Sequence, residues 1–134
     1  MTRDGMKVLA GLRALMLTAA LAAVMAPAAW AAGHVRIDGA RLEAMMSDGK
    51  PIVIVDVREP WLYKRGHVPG AINIPYDGAR ERVLTELRPT DRVVFVCHGG
   101  PMGDELGALL KEKGYGEVYN LIGGMRRWSG PLEK

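Results

Sequence analysis

Residues 92–103 read RVVFVCHGGPMG, and this stretch decides which fold the chain can adopt. Its first six residues, RVVFVC, are rich in β-branched side chains and almost wholly apolar, a pattern typical of a strand that helices cover on both faces. A second run of this kind, PIVIVDV, occupies residues 51–57. Two buried strands imply helices above and below a sheet, so the sequence predicts an α/β domain.

The rest of the chain alternates weaker strand patterns with helical ones. Further strands are predicted at 34–37, 71–74 and 118–122, and helices are predicted at 40–46, 79–87 and 103–113. The last helix has the clearest limits, because Asp104 and Glu105 stand in its first turn and Gly114 follows its last turn. This alternation predicts a mostly parallel sheet, and ligands of such sheets bind at the carboxyl ends of the strands.

Length and composition restrict the classes of protein to consider. The chain has 134 residues, of which 49% are hydrophobic and 25% are charged. These values fit one domain with a substantial core and exclude a disordered tail protein. The one cysteine, Cys97, has no partner for an intramolecular disulfide and cannot supply the several thiolates of a zinc or iron–sulfur site. We therefore predict no such metal centre.

The start of the chain has the pattern of a targeting segment. Residues 1–13 carry three basic side chains against one acidic side chain, and residues 14–33 carry no charge. The sequence Ala-Trp-Ala at 29–31 supplies the small residues that a signal peptidase reads. We predict a signal peptide at 1–31, a mature domain at 32–134 and export to a bacterial periplasm. The alternative is an uncleaved segment that anchors the protein in the membrane.

The positive charge of the whole chain lies mainly in that segment. The chain has 18 basic and 15 acidic side chains, and three of the basic and one of the acidic ones precede residue 32. The predicted mature domain therefore has 15 basic and 14 acidic side chains. A nearly neutral domain without a dense Lys or Arg run lacks the surface that binds a phosphate backbone, so we exclude nucleic acid as a partner.

Cys97 ends the most apolar strand and is the first candidate for chemistry. The loop residues His98, Gly99, Gly100, Pro101, Met102 and Gly103 separate it from the predicted helix. Three glycines allow the backbone to turn its N–H groups inward, and the helix N-terminus adds partial positive charge. This setting stabilises a thiolate, which is the nucleophilic form of cysteine. On position alone, a small buried apolar side chain is an equally good interpretation, and the glycine-rich loop favours chemistry.

Three separated segments together resemble the rhodanese family of sulfurtransferases. They are IVIVDVREPWLYKRGHVPGAINIP (52–75), VVFVCHGGPMGDELGALLKEKGY (93–115) and VYNLIGGMRRW (118–128). The resemblance implies a three-layer α/β/α domain with a central, mainly parallel five-stranded sheet, and a Cys97 that carries a persulfide. It implies a small sulfur donor such as thiosulfate, a thiol or cyanide as acceptor, and no metal or organic cofactor.

The resemblance also implies supporting roles for three residues outside the loop. Asp56 and Arg58 match the family's Asp-x-Arg element, in which Asp56 would accept hydrogen bonds from loop amides and Arg58 would orient carboxylates. The pair is either a scaffold or part of the reaction. His67 matches a family turn and is expected to fix it, whereas His98, next to Cys97, either takes part in the reaction or faces solvent.

The chain departs from the family pattern inside the loop. Many members have an arginine five residues after the cysteine, and related phosphatases have one six residues after it; these positions are Met102 and Gly103 here. Negative charge at Asp104 and Glu105, if it faces the pocket, further disfavours a dianionic donor. We therefore expect a less charged donor than thiosulfate and no phosphatase activity. The alternative function is a non-catalytic sulfur carrier, or a protein-binding module, that acts with a dedicated partner.

Overall fold

A computed structural model describes residues 33–134, in which a five-stranded sheet lies between helices. The strands are β1 (Val35–Ile37), β2 (Val53–Asp56), β3 (Ile72–Asn73), β4 (Arg92–Val96) and β5 (Glu117–Leu121). The helices are α1 (Gly39–Met46), α2 (Pro60–Arg65), α3 (Ala79–Glu86), α4 (Pro101–Glu112) and α5 (Gly124–Arg127).

The predicted signal peptide, residues 1–31, lies outside the described residues. Within residues 33–134, no helix has both the length and the apolar character that a membrane span requires.

The strands follow the order β1-β5-β4-β2-β3, and every neighbouring pair is parallel. The predicted five-stranded, mainly parallel sheet is therefore confirmed. In a parallel sheet the carboxyl ends of all strands meet at one edge. The loops that follow β2, β4 and β5 accordingly converge there, and they contain most of the candidate site residues.

Alternate residues of β4 face opposite layers of helices. Val93 and Phe95 pack in a cluster with buried side chains of α3 and α4, whereas Val94 and Val96 pack in a second cluster with α1. All four side chains are fully buried, which confirms the three-layer prediction. Cys97 continues the first series, so its sulfur lies on the α3 and α4 side of the sheet.

The predicted elements are all present, with shifted limits at one important place. Helix α4 begins at Pro101 rather than at residue 103, because proline at the first helical position loses no hydrogen bond and already has a helical φ. The predicted six-residue loop is thus wrong in its second half, since Pro101, Met102 and Gly103 form the first turn of α4. Helices α2 and α5 were not predicted, and α2 also begins at a proline, Pro60.

Candidate active site

The sulfur of Cys97 is enclosed at the carboxyl end of β4. Its residue has no exposed surface, and the backbone N–H of Gly100 donates a hydrogen bond to Sγ at 2.9 Å. Gly100 has φ +120° and ψ −37°, a conformation that side-chain-bearing residues rarely adopt. The glycine therefore permits the tight return that brings its N–H group to the sulfur, as the glycine-rich loop predicted.

The segment that follows β5 holds the cysteine loop from outside. The N–H of Met125 donates to the carbonyl of Cys97 at 2.8 Å, and the N–H of Arg126 donates to the carbonyl of His98 at 3.1 Å. Asn120, near the end of β5, donates through Nδ2 to the carbonyl of Gly100 at 2.8 Å. Three of the four loop carbonyls are thus bound to β5 or α5.

Asp104, in the first turn of α4, is the centre of a polar network that reaches β1. Its carboxylate is hydrogen-bonded to His34 Nε2 at 2.7 Å, Arg36 Nε at 3.0 Å and Asn120 Nδ2 at 3.0 Å. Burial raises the pKa of Asp104, but the hydrogen bonds from these three partners outweigh burial and lower the pKa from 3.8 to about 2. Asp104 is therefore an ionised acceptor at neutral pH.

Asp56 and Arg58 form a buried ion pair at the end of β2. Asp56 has no exposed surface and accepts from the backbone N–H of Arg58 at 3.0 Å and from its guanidinium at 2.7 Å. The guanidinium also donates to the carbonyl of Gly66 at 2.8 Å. Asn73 of β3 donates through Nδ2 to the carbonyls of Asp56 and Arg58, both at 2.9 Å. The backbone amide that donates to Asp56 is that of Arg58, in the loop after β2, and not an amide of the cysteine loop. These contacts therefore favour the scaffold interpretation of the pair.

His67 closes the turn after α2. Its ring stacks on Tyr63 at 3.7 Å between centroids, and its Nδ1 is hydrogen-bonded to the carbonyl of Tyr63 at 2.8 Å. Its backbone exchanges two hydrogen bonds of 2.9 Å with Glu133. These contacts connect the turn to the end of the described chain, and the role of His67 in fixing the turn stays a prediction.

His98 turns towards the loop after β2. Its Nε2 is hydrogen-bonded to Glu59 Oε2 at 2.8 Å, and about a third of its side chain is exposed. The pKa of Glu59 is lowered, first by a hydrogen bond from its own backbone and then by His98. Nothing in the sequence singled out Glu59, although Pro60, the first residue of α2, marks the turn that positions it.

A cavity of about 440 Å³ opens beside the cysteine loop. Its lining combines four apolar residues and a tyrosine with two carboxylates, and no basic side chain belongs to it: Val57, Pro60, Pro75, Met102, Tyr76, Glu59 and Asp77. Val57 belongs to the same core cluster as Cys97, and Met102 packs against that cluster. The cavity therefore borders the side chains that enclose the sulfur.

Two acidic residues at the start of α4 make contacts away from the sulfur. Asp104 faces β1 and β5 and is not part of the lining of the cavity beside Met102. Glu105 accepts hydrogen bonds from the hydroxyl of Tyr76 and from Arg80. The negative charge of the cavity therefore comes from Glu59 and Asp77, two residues that the sequence did not single out. Among the described residues, no group of three or more His, Cys, Asp or Glu side chains is placed to hold a metal ion.

Comparisons with known proteins give a family assignment that agrees with the three-layer fold. The family model of the Rhodanese-like domain matches residues 38–131. The chain is 34% identical over 94 residues to a protein named sulfurtransferase from Allochromatium vinosum, covering 69% of this chain and 86% of the relative. It is 37% identical over 81 residues to the thiosulfate sulfurtransferase PspE of Escherichia coli, covering 60% and 77%.

Some relatives are longer than the region they share with this chain. The putative sulfur carrier protein YrkF of Bacillus subtilis is 36% identical over 80 residues, which cover 60% of this chain and 43% of YrkF. The matched region covers 63% of a second Bacillus subtilis relative, YqhL, at 34% identity over 80 residues and 60% of this chain. This chain therefore matches less than two thirds of the length of either protein.

Solved structures agree with the sequence relatives. A rhodanese-like domain protein from Staphylococcus aureus superimposes with a TM-score of 0.67 at 29% identity, covering 74% of this chain and 96% of that one. The rhodanese-like domain of the Anabaena protein Alr3790 gives a TM-score of 0.65 at 27% identity, covering 73% and 77%. From the family match, the relatives and the shared fold together, we conclude that the chain belongs to the rhodanese-like domain family.

Proposed function

We propose that the chain is a sulfurtransferase that carries a sulfane sulfur as a persulfide on Cys97. The observation that carries the proposal is the hydrogen bond from the Gly100 N–H to Cys97 Sγ, at the carboxyl end of a buried parallel strand. A donor held 2.9 Å from the sulfur stabilises negative charge on it without a basic side chain. Both the thiolate and the persulfide carry such charge.

The reaction divides into two displacements. The Cys97 thiolate attacks the outer sulfur of thiosulfate, the Cys97 persulfide forms and sulfite leaves with the electron pair of the broken S–S bond. With a persulfide donor, the leaving group is the donor's thiolate. A thiolate or cyanide then attacks the terminal sulfur, which gives a new persulfide or thiocyanate and restores the Cys97 thiolate. No external oxidant or reductant is needed in either step.

The donor has to approach through the side chains that enclose the sulfur. The cavity and the core cluster of Cys97 share Val57 and are both bordered by Met102. Methionine has three rotatable bonds and adapts readily, so a movement of Met102 is the simplest route to Sγ. Because the cavity has two carboxylates and no basic side chain, we propose that a persulfide of a neutral or cationic thiol is a better donor than the thiosulfate dianion.

The test measures sulfur on the protein and product in solution. Purified protein and a Cys97→Ala variant are incubated with thiosulfate, with glutathione persulfide, which is also anionic, or with cysteamine persulfide, whose amine is cationic, and then with cyanide. We expect a gain of one sulfur in the intact mass and repeated release of thiocyanate, both dependent on Cys97. Absence of any Cys97-dependent sulfur gain from these donors would refute the proposal.

A sulfur-carrier function is the second candidate. The complete burial of Cys97 favours it, because a partner protein that opens the loop would then control sulfur delivery. The relative named as a putative sulfur carrier adds support. The same experiment separates the two functions, since a carrier takes up one sulfur and releases no more than one equivalent of thiocyanate, whereas an enzyme turns over repeatedly.

We also propose that the protein acts after export, with residues 1–31 removed. The support is the sequence pattern of that segment alone. Expression of the full chain in a bacterium, followed by fractionation and intact-mass measurement, tests this. A periplasmic product that begins at Ala32 agrees with export, a membrane-bound full chain supports the anchor, and a full-length cytoplasmic product contradicts both.

A further inference from the structure

We propose that Asn120 is a positioning residue for Cys97. The side-chain amide of Asn120 donates a hydrogen bond to the carbonyl of Gly100. By holding Gly100 in this way, Asn120 keeps the N–H group of Gly100 directed at the sulfur. The proposal rests on the proposed function only in taking Cys97 as the reacting group. It adds Asn120, a residue on a different strand and 23 positions after the cysteine. In this proposal Asn120 influences the fraction of Cys97 that is present as thiolate.

The register of the sheet places Asn120 under the loop. On β5 it pairs with Phe95 of β4 on one side and with Arg36 of β1 on the other. Its side chain alternates with Tyr119 and Leu121, so it points to the same layer as Val118, Cys97 and helix α4. With only 1% of its surface exposed, Asn120 contacts the loop without contacting solvent.

Both hydrogens of the amide are used at the cysteine loop. Nδ2 donates to the Gly100 carbonyl at 2.8 Å and to Asp104 Oδ1 at 3.0 Å. The Gly100 carbonyl also accepts from the backbone N–H of Asp104 at 3.1 Å. Gly100 is therefore held on its carbonyl side by Asn120 and α4, and it meets Sγ on its N–H side.

The orientation of the amide is determined by its neighbours. Asp104 is ionised at neutral pH, because its pKa is lowered to about 2, and the Gly100 carbonyl is also only an acceptor. Two acceptors require the nitrogen on their side, so Asn120 Oδ1 is buried with no hydrogen-bond donor among the described residues. An unpaired buried acceptor lowers stability, and in this orientation the two hydrogen bonds of the nitrogen offset that cost.

Gly103 leaves the space that this orientation needs. A Cβ atom at residue 103 would overlap Oδ1 and the side-chain carbonyl carbon of Asn120. Gly103, the third glycine of the motif, therefore leaves space for the Asn120 side chain and is not needed to bend the loop. Gly100 and Gly103 thus serve the same arrangement. Gly100 directs its N–H group at the sulfur, and Gly103 leaves room for Asn120, which holds Gly100.

The chain offers a matched control in Asn73. Like Asn120, this residue makes two hydrogen bonds through Nδ2, here to the carbonyls of Asp56, at the end of β2, and of Arg58, in the loop that follows. An Asn73→Ala variant therefore loses the same number of amide contacts as Asn120→Ala, at a loop that is separate from the Gly100 N–H donor of Sγ. A general loss of rigidity would affect both variants, whereas a positioning role affects only the second.

The experiment compares thiolate content in the purified wild-type protein and the two variants. Ultraviolet absorbance of the thiolate is measured at neutral pH against a Cys97→Ser background, and thermal unfolding is measured in parallel. Three sets of charged groups lie beside the loop. Glu59 with His98 on one side and Arg126 beside Gly99 on the other are unchanged in both variants. Asp104 loses its hydrogen bond from Asn120 in Asn120→Ala and keeps those from His34 and Arg36.

We expect Asn120→Ala to lower the ratio of thiolate to thiol about tenfold, the effect of one lost hydrogen bond to a charged group. Asn73→Ala should lower the melting temperature and leave that ratio unchanged. If Asn120→Ala does not fold, Asn120→Ser, whose hydroxyl replaces part of the donor capacity, gives the same comparison with a smaller decrease. An unchanged ratio in the folded Asn120 variant, or an equal decrease in Asn73→Ala, overturns the inference.

Sulfur uptake from a donor is recorded separately in the wild-type protein. A wild type that gains no sulfur refutes the proposed function and leaves the thiolate comparison standing. A wild type that gains sulfur, with an unchanged thiolate ratio in Asn120→Ala, refutes only the role of Asn120.

Discussion

The loops that follow β2 and β4 lie on paired strands at the same edge of the sheet and are held in different ways. After β2, the buried charges of Asp56 and Arg58 neutralise each other within one loop. After β4, backbone groups and uncharged amides hold the loop, and one N–H is directed at Cys97. A loop whose charges neutralise each other is rigid, whereas a loop that directs an N–H donor at a sulfur can stabilise the negative charge of that sulfur as it gains and loses a substituent.

Each loop is also held by an asparagine of the next strand in the sheet. Asn73 of β3 binds the carbonyls after β2, and Asn120 of β5 binds the loop after β4. The same side-chain chemistry therefore serves a structural loop and a reactive one. The difference between the loops arises from what their amides contact, and the following substitutions test it.

Asp56→Asn should produce the largest loss of stability. The substitution leaves the guanidinium of Arg58, which is 6% exposed, without its carboxylate. Removing one partner of a buried ion pair costs about 3–5 kcal/mol. Chemical denaturation measures the free energy of unfolding, and Glu86→Gln, which breaks an exposed pair with Arg82, serves as control with an expected loss of about 0.5 kcal/mol or less. A loss in Asp56→Asn no larger than in the control would show that the β2 loop does not depend on its charges.

Gly103→Ala should damage the β4 loop without changing any charge. The new methyl group overlaps Asn120, and overpacking of a buried site costs about 1–3 kcal/mol. We expect lower stability together with a decrease in the thiolate signal of Cys97. Gly33→Ala is the control, because a Cβ atom there would meet no atom of residues 33–134 within 4 Å. Normal thiolate content in a destabilised Gly103→Ala protein would separate the stability of this loop from its chemistry.

The free energy of unfolding at acidic pH should depend on Asp104. Its pKa is about 2 in the folded protein against an ordinary value of 3.8, so its stabilising contribution is complete above pH 4 and is lost as the pH falls towards 2. The difference between the two values corresponds to about 2–3 kcal/mol. Asp104→Asn should remove this part of the decrease between pH 4 and pH 2, whereas Glu112→Gln, exposed on the same helix, should not. Parallel curves for wild type and Asp104→Asn would contradict the lowered pKa.

Met102→Arg should give the smallest effect and would add a basic side chain to a cavity whose lining has none. A cation at the cavity attracts thiosulfate by about 1 kcal/mol in a solvated site, which corresponds to about fivefold faster loading of Cys97. Met102→Leu keeps the size without the charge and should leave the preference among donors unchanged. Loading is measured by intact mass against time. If arginine does not favour thiosulfate over an uncharged persulfide donor, the charge of the cavity does not select the donor.

Much of the fold was predictable because buried elements have regular patterns of apolar residues in the sequence. The β-branched runs at 51–57 and 92–97 correctly predicted β2 and β4, and acidic residues followed by leucines predicted α4. The short helices α2 and α5 were missed, since four to six residues carry too little periodicity to stand out. Proline at the first helical position was the available signal for α2 and for the early start of α4.

The polar partners within the site were harder to predict. Glu59 and His98 are 39 positions apart, and Asn120 and Gly100 are 20 apart. Glu59 and His98 meet because their loops follow the neighbouring strands β2 and β4, and Asn120 meets Gly100 because β5 lies beside β4 in the sheet. The sequence contains all of these residues, but no spacing along the chain relates them.

The sequence by itself determined that Cys97 ends a buried parallel strand ahead of a glycine-rich turn and a helix, because apolar alternation and helix-end residues report local burial and backbone geometry. Only the tertiary structure decided which groups meet the sulfur. Hydrogen bonds act over about 3 Å and depend on direction, so they are settled by the packing of elements that are distant in the chain. That packing directs the Gly100 N–H at Sγ and places Asn120 against the cysteine loop.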